Sequence, residues 1–463
     1  MKEYIINRDF IRVPLGEETL LVDAKEKNYG RSKNVLMVNS SCLHVLDLLN
    51  HNSVGETIQL LLKEKDNVFS YKELEDNILS TISMLEHENV LIQKNVENVE
   101  TPSSSNTEIV GFGPLKGRLG KQRQPLIGVV EITSECNCNC PHCYVKGLDK
   151  KKRISTDKFI QIANILKDKG IVNITITGGE PLSSPDFKVI YKAFKEQGFL
   201  IDVFTNALLM EKDLASFFAN YPPRSLDITL YGTTNKEYEH FTGVTAGYDK
   251  LCRALELLDK NDVFYTTKMI LNKENYKHIS EFNKIARQHN APFRYNVIIG
   301  KGNNTLKDPQ ELMLANEQIV EIEKQDPVKI RVFQDLVHKC NCLPYDCNSE
   351  DGWSQFVCGA GIDKVFIGYD GKMSPCMTLR YKGLDVFEYG YDYVWNYWGE
   401  QRKQKLSKEF KCITCKFLPI CTPCTEEFEQ ANGNKEIPIE NVCDLAEKRW
   451  NAFIEQSNIN DLL

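Results

Sequence analysis

The chain has no apolar run near the roughly 20 residues that a membrane helix needs, and Met1 to Asp9 lacks the apolar core of a secretory signal. Positive charge is also short: 57 Lys and Arg stand against 64 Asp and Glu, a formal net charge of −7. A general nucleic-acid binder needs the opposite balance. These absences give the expectation of a soluble, cytoplasmic protein with no membrane and no nucleic-acid partner. What the chain holds in quantity is cysteine, sixteen in 463 residues. Without a secretory signal, disulfides are not the expected use of so many thiols, and metal ligation in a reducing compartment is. The length suits roughly three domains.

The cysteines are unevenly placed. Residues 136–143 read Cys-Asn-Cys-Asn-Cys-Pro-His-Cys, directly after a strand-like run from Pro125 to Thr133. Cys136, Cys140 and Cys143 thus fall into a C-x3-C-x2-C spacing, with Cys138 off the spacing and read as a bystander. Three closely spaced thiolates can each hold a different iron of one 4Fe-4S cluster and leave the fourth iron open to a small molecule. A redox dithiol or half of a zinc site would use a C-x2-C pair alone and leave the third cysteine unexplained. Downstream, Ile174 to Thr177 alternates with period two and ends in Gly178-Gly179-Glu180-Pro181. Paired glycines let a backbone approach a ligand closely, and Glu180 is placed to accept a charge-assisted hydrogen bond from an ammonium group.

A C-x3-C-x2-C loop after one strand and a G-G-E-P turn after the next resemble the radical S-adenosylmethionine (SAM) enzymes. The resemblance implies that the open iron binds the amino and carboxylate groups of SAM, and that the reduced cluster cleaves SAM to a 5′-deoxyadenosyl radical. It implies further SAM-contact positions at His142, Asn206, Thr229 and Ile298, with Thr205 beside them. His142 would lie at the adenine and Thr229 at the ribose. For Ile298 a buried strand residue is the plainer account, and for Lys268 a solvated lysine is favoured over a partner for the SAM carboxylate.

The fold class expected is α/β. From Pro125 to about Lys301 strand and helix patterns alternate through about six units, which implies a parallel sheet with right-handed crossovers. By resemblance this is a partial (β/α)6 TIM-like barrel at 124–305, with its chemistry at the C-terminal strand ends. Residues 1–95 read as three short strands (9–14, 19–23, 33–38) and three helices, a winged-helix-like module. Residues 1–100 of the chain carry 11 basic against 17 acidic groups, a net of −6, which disfavours DNA and suits strand addition by a peptide. Residues 96–123 form a polar, glycine-rich linker, and 306–339 a connecting segment.

Ten cysteines lie beyond residue 339. Cys358-x12-Gly371-x4-Cys376, then Cys412-x2-Cys415-x5-Cys421-x2-Cys424, then Cys443, resemble the SPASM extension of radical SAM enzymes over 340–450. One spacing departs, since the last quartet gap is two residues where three is common. A zinc site of four thiolates would use fewer ligands than are present. The resemblance implies two auxiliary 4Fe-4S clusters: an outer one on Cys412, Cys415, Cys421 and Cys443, and an inner one on Cys358, Cys376 and Cys424. Cys347 is chosen as its fourth ligand over Cys340 and Cys342. Cys42 and Cys252 read as small core residues.

Taken as a whole the order resembles peptide-maturing enzymes such as the sactisynthases. That implies SAM and three 4Fe-4S clusters as cofactors, and a leader-bearing, ribosomally made precursor peptide as partner. The implied product is a thioether between a cysteine sulfur and a peptide carbon. Carbon–carbon crosslinking, sulfatase-type side-chain oxidation and an iron-sulfur, winged-helix DNA regulator stand as alternatives. The electron would come from a flavodoxin or ferredoxin, and Lys146 with Lys150 to Arg153 is a candidate docking patch for it.

Overall fold

The structure, a computed structural model, describes residues 3–6, 10–15, 18–23, 35–64, 69–87, 90–93, 123–145, 147–149, 152–300, 309–339, 353–421 and 423–455. The chain divides into two compact units, Met1–Pro114 and Leu115–Leu463.

In the first unit, strands β1 (Tyr4–Ile6), β2 (Phe10–Leu15), β3 (Glu18–Asp23) and β4 (Val35–Asn39) precede three helices. These are α1 (Ser40–His51), α2 (Val54–Leu62) and α3 (Tyr71–His87). Strands β2, β3 and β4 pair as an antiparallel meander, and β1 pairs with β5 (Leu91–Gln93). The β1–β5 pair was not expected, because two three-residue runs carry too little periodicity to read. Ser53 and Glu56 close a reciprocal cap at the start of α2, and Ser70 with Glu73 does the same for α3. Leu21, Val38, Leu46, Leu49, Ile58, Ile78, Ile82 and Leu85 form the buried core.

The second unit is α/β. Strands β6 (Ile127–Glu131), β7 (Asn173–Thr177), β8 (Leu200–Thr205), β9 (Ser225–Thr229), β10 (Tyr265–Ile270) and β11 (Phe293–Asn296) lie side by side in chain order. Every neighbouring pair is parallel. The crossovers carry α4 (Thr156–Asp168), α5 (Phe187–Glu196), α6 (Lys212–Asn220), α7 (Asn235–Thr242), α8 (Gly247–Lys260) and α9 (Ile279–Gln288). This is the expected doublet pattern of a six-strand parallel sheet, with α7 as an added helix.

The two faces of this sheet differ in chemistry. Ile174, Ile176, Ile201, Val203, Leu226 and Ile228 share one apolar core with helix residues such as Phe159, Phe194, Phe218 and Leu255. The alternate positions, on the face away from the helices, are polar: Glu131, Asn173, Thr175, Thr177, Asp202, Ser225, Asp227, Thr266 and Lys268. Two polar networks tie several of them together. Arg224 Nε donates to Asp202 Oδ1 at 2.9 Å, and Asp227 takes Thr266 Oγ1 at 2.7 Å with Arg294 at 3.5 Å and Lys268 at 3.9 Å.

Beyond α10 (Asn316–Glu323) and α11 (Pro327–Lys339) the chain returns to the same sheet. Strand β12 (Lys364–Ile367) pairs parallel with β6, and β13 (Lys372–Ser374) and β14 (Leu384–Asp385) follow antiparallel. The C-terminal segment therefore begins as an extension of the barrel sheet. Helices α12 (Tyr391–Lys403), α13 (Thr425–Asn432) and α14 (Glu440–Trp450) complete it. A small core of Trp353, Val357, Ile362, Leu406, Phe410 and Phe428 lies beneath the late cysteines. No helix among the described residues is long and apolar enough to cross a membrane.

Candidate active site

The cysteine loop leaves the C-terminal end of β6 and is held against the end of β7 by backbone hydrogen bonds. Ile132 N–H donates to Thr177 O at 3.0 Å, Gly179 N–H to Thr133 O at 2.9 Å and Glu180 N–H to Glu135 O at 2.8 Å. A Cβ on Gly178 would stand 2.2 Å from Thr133 O, and one on Gly179 would stand 2.1 Å from Glu135 O. The glycines thus admit the cysteine loop itself. Pro181 opens a short 3-10 turn, Pro181–Ser183.

Glu180 is enclosed by donors from the protein. Its carboxylate, 1% exposed, accepts from Asn206 N–H at 2.6 Å, Thr205 Oγ1 at 2.7 Å and Leu182 N–H at 3.0 Å. It clamps the ends of β7 and β8 together. Burial without an opposing cation pushes its pKa up to about 7. Asn206 continues the clamp: its Nδ2 donates to Asn137 Oδ1 at 2.8 Å and to Cys138 Sγ at 3.4 Å, and lies 4.0 Å from Cys136 Sγ.

The Cys138 N–H donates to Cys136 Sγ at 3.4 Å. Cys143 closes the loop through its N–H to Cys140 O at 3.3 Å. The remaining rim is aromatic. The His142 ring lies 5.1 Å from that of Phe241 and 6.2 Å from that of Tyr231. Burial pushes the imidazole down to about 4, and among the described residues its buried Nδ1 has no hydrogen-bond partner. Thr229 ends β9, half-buried. Ile298 lies beyond the end of β11 and is 40% exposed, so it is not a buried strand residue. Lys268 is not solvated either: its side chain is 26% exposed, pairs with Asp227 and sits over the Phe204 ring, and burial lowers it to about 8.

Among the described residues, no three His, Cys, Asp or Glu side chains close to metal-binding distance. The donor set nonetheless suits an iron-sulfur group, because every candidate is a soft thiol and none of the described cysteines is in a disulfide. The late cysteines sort into two neighbourhoods. Burial and then the nearby thiols of Cys421, Cys443 and Cys415 push Cys412 up to about 12, and Cys421 rises likewise beside Cys443 and Cys415. Cys424, at the N-terminus of α13, feels Cys376 and Cys358 instead, and Cys376 feels Cys358. Cys340, Cys342 and Cys347 lie outside the described residues.

So do Lys146, Lys150 and Lys151 of the basic run. Arg153 turns inward: its Nε donates to Ile132 O at 2.9 Å and its Nη2 meets Asp186 at 3.3 Å. It anchors the cysteine loop and leaves the expected docking patch. Sequence reading also missed a cleft of roughly 590 Å³ beside the loop, lined by Glu131, Lys152, Phe366, Tyr369, Arg380 and Tyr381 among others. At its floor the Arg380 guanidinium, 11% exposed, meets the buried Glu131 carboxylate at 2.5 Å. The two are 249 residues apart, and no local signal links them. Tyr231 was within reach, since it follows Thr229 by one strand period.

Comparison with known proteins agrees with this geometry. Residues 130–286 match the model of the Radical SAM superfamily. The antilisterial bacteriocin subtilosin biosynthesis protein AlbA of Bacillus subtilis is 25% identical over 70% of this chain and 71% of its own length. The AdoMet-dependent heme synthase of Methanosarcina barkeri is 21% identical over 66% of this chain and 92% of its own. Streptococcus suis SuiB bound to S-adenosylmethionine superposes with a TM-score of 0.58 at 16% identity, covering 95% of this chain and 99% of SuiB. SuiB bound to precursor peptide SuiA gives 0.59 at 15%, over 96% and 100%. With their parallel sheet, thiol-bearing loop and glycine-paired turn, residues 130–286 are a radical SAM domain, and the chain that carries it is an enzyme.

Proposed function

We propose that this enzyme matures a ribosomally made precursor peptide by joining a cysteine sulfur to a peptide carbon. The observation that carries the reading is extent: SuiB with its peptide aligns over 96% of this chain, first unit included, whereas the heme synthase reaches 66%. A fold likeness of that length takes in all but a small part of the chain. The AlbA name adds a second peptide-linked relative.

In this reading Cys136, Cys140 and Cys143 hold the SAM cluster. Cys412, Cys415, Cys421 and Cys443 hold an outer auxiliary cluster, and Cys358, Cys376 and Cys424 an inner one, with Cys347 as its upstream ligand. The two neighbourhoods of late thiols support that division. Held by these thiolates, such clusters would supply the electron for cleavage of SAM to the radical and an acceptor for the surplus electron. The chain's own residues orient the reactants. Glu180, Thr205 and Asn206 fix the cysteine loop against two strand ends, His142 and Thr229 border the space for adenosine, and Tyr369 and Tyr381 wall the cleft beside the loop. The first unit would hold the leader by strand addition, raising the local concentration of the peptide. A flavodoxin or ferredoxin would supply the electron.

The test is coexpression with the product of a short cysteine-bearing reading frame beside the gene, followed by mass spectrometry. Loss of a hydrogen pair together with loss of an alkylatable thiol is expected. Hydrogen loss with all thiols still alkylatable would indicate a carbon–carbon bond instead. Enzyme lacking residues 1–95 should cleave SAM without peptide yet leave the peptide unmodified. Full modification by that truncation would remove the leader-binding role.

A further inference from the structure

Residues 306–339 read in sequence as a connecting segment, yet helix α10 (Asn316–Glu323) within it grips α14 (Glu440–Trp450), the helix that carries Cys443. Buried Asn316 donates from Nδ2 to Asn441 O at 2.9 Å, Asn441 Oδ1 at 3.0 Å and Asp444 Oδ2 at 2.7 Å. These two partners bracket Cys443. At the other end of α10 the buried Glu323 carboxylate takes a bidentate pair from Arg449, Nε at 2.8 Å and Nη2 at 2.7 Å, with Lys329 Nζ at 3.4 Å. The Arg449 guanidinium also lies over the Phe333 ring, 5.1 Å from its centroid, and Lys448 reaches Glu317 at 3.1 Å.

Successive residues of a helix stand about 100° apart. On that spacing Asn441, Asp444, Lys448 and Arg449 share the face of α14 turned to α10, and Cys443 and Trp450 fall together on the opposite face. Trp450 shows where that face points: its ring meets that of Phe417 with centroids 6.0 Å apart and planes at 64°, and Phe417 stands between Cys415 and Cys421. The helix is thus held on one side by α10 and meets the cysteine turn with the other. The hold is directional. A bidentate arginine–carboxylate pair fits one geometry, and a dry pair that loses its partner is strongly costly. Turning α14 by one residue would leave Asn316, Glu323 and Arg449 unsatisfied together.

We propose that Asn316 and Glu323 are positioning residues for the outer auxiliary cluster: by fixing the rotation of α14 they present the Cys443 thiol to the turn that carries Cys412, Cys415 and Cys421. Residues 316–323 hold no cysteine and act only through that helix. The inference rests on the outer-cluster reading above.

The test is competition with a ferrous chelator on anaerobically reconstituted full-length protein, with iron counted and the reduced clusters followed by electron paramagnetic resonance on the same samples. Wild type should hold about twelve irons, and Cys443→Ala defines the outer cluster's share of the iron, up to about four, and of the spectrum. Asn316→Leu should release that same share at roughly tenfold lower chelator and keep the remaining iron as wild type does. Added to Cys443→Ala, it should change nothing further, because it acts through Cys443. Iron loosened from all clusters alike would mean a general loss of fold, and a further loss in the double variant would mean a route other than Cys443; either overturns the proposal. If Asn316→Leu does not fold, Asn316→Ser decides by the same readings. Wild type holding only about eight irons would sink the outer-cluster reading itself, whereas a full complement with the Asn316 variant indistinguishable from wild type would sink this proposal alone.

Discussion

Glu180 shows how one side chain can be legible in type and not in role. The sequence marks it as an acid at a strand end beside paired glycines, which predicts a ligand contact. The chain turns it inward because Asn206 N–H, Thr205 Oγ1 and Leu182 N–H converge on it, and hydrogen-bond partners supplied by another strand leave no trace in local spacing. Its raised pKa has a testable sign. Between about pH 4.5 and about 7 the folded chain keeps a proton that the unfolded chain has released. The stabilisation is full below pH 4.5 and is lost as pH rises through about 7, a fall of roughly 3 kcal/mol. Denaturant unfolding of apo-protein at about pH 5 and about pH 8 should show this fall, and Glu180→Gln should flatten it whatever its overall stability. An unchanged pH dependence in the variant would place the titration elsewhere. The cysteines themselves were readable, because thiol spacing is a local property. Ile298 and Lys268 were not, since exposure depends on where the strand ends and on what packs over it.

Among the elements, the six parallel strands and their crossover helices follow from alternation alone. Period-two runs bounded by turns mark the strands, and 3.6-residue patterns mark the helices. What alternation cannot show is β12, a four-residue strand whose partner β6 lies far upstream. Arg380, just past β13, makes the same long-range link by reaching Glu131 at the end of β6. Both side chains are nearly dry, so removing one partner leaves an unpaired buried group. Arg380→Met should cost roughly 3–5 kcal/mol in urea unfolding, and Glu131→Gln/Arg380→Met should recover a large part of that. Additive losses in the double variant would mean that the pair is not coupled. Both single variants should also load less iron, because Glu131 leads directly into the cysteine loop.

At the scale of the whole molecule, composition alone pointed to metal, and the two late cysteine neighbourhoods give a countable expectation. Reconstituted protein should hold about twelve irons per chain, from three cubic clusters. Joint replacement of Cys358, Cys376 and Cys424 by alanine should remove about four of them and leave SAM cleavage without peptide in place. Joint replacement of Cys136, Cys140 and Cys143 should remove as many and abolish cleavage. Zinc in place of iron on the late cysteines would refute the auxiliary clusters. The parallel pairing of β6 with β12 also bears on how such a chain is made. A ribosome that has synthesised β6 through β11 has produced six strands of a sheet whose first strand still shows an open edge. That edge stays open until residues 364–367 emerge and cover it. Until then the nascent domain offers a ready template to a second copy of itself, so slow translation or truncation ahead of β12 should yield aggregates even though every radical SAM motif is already in place.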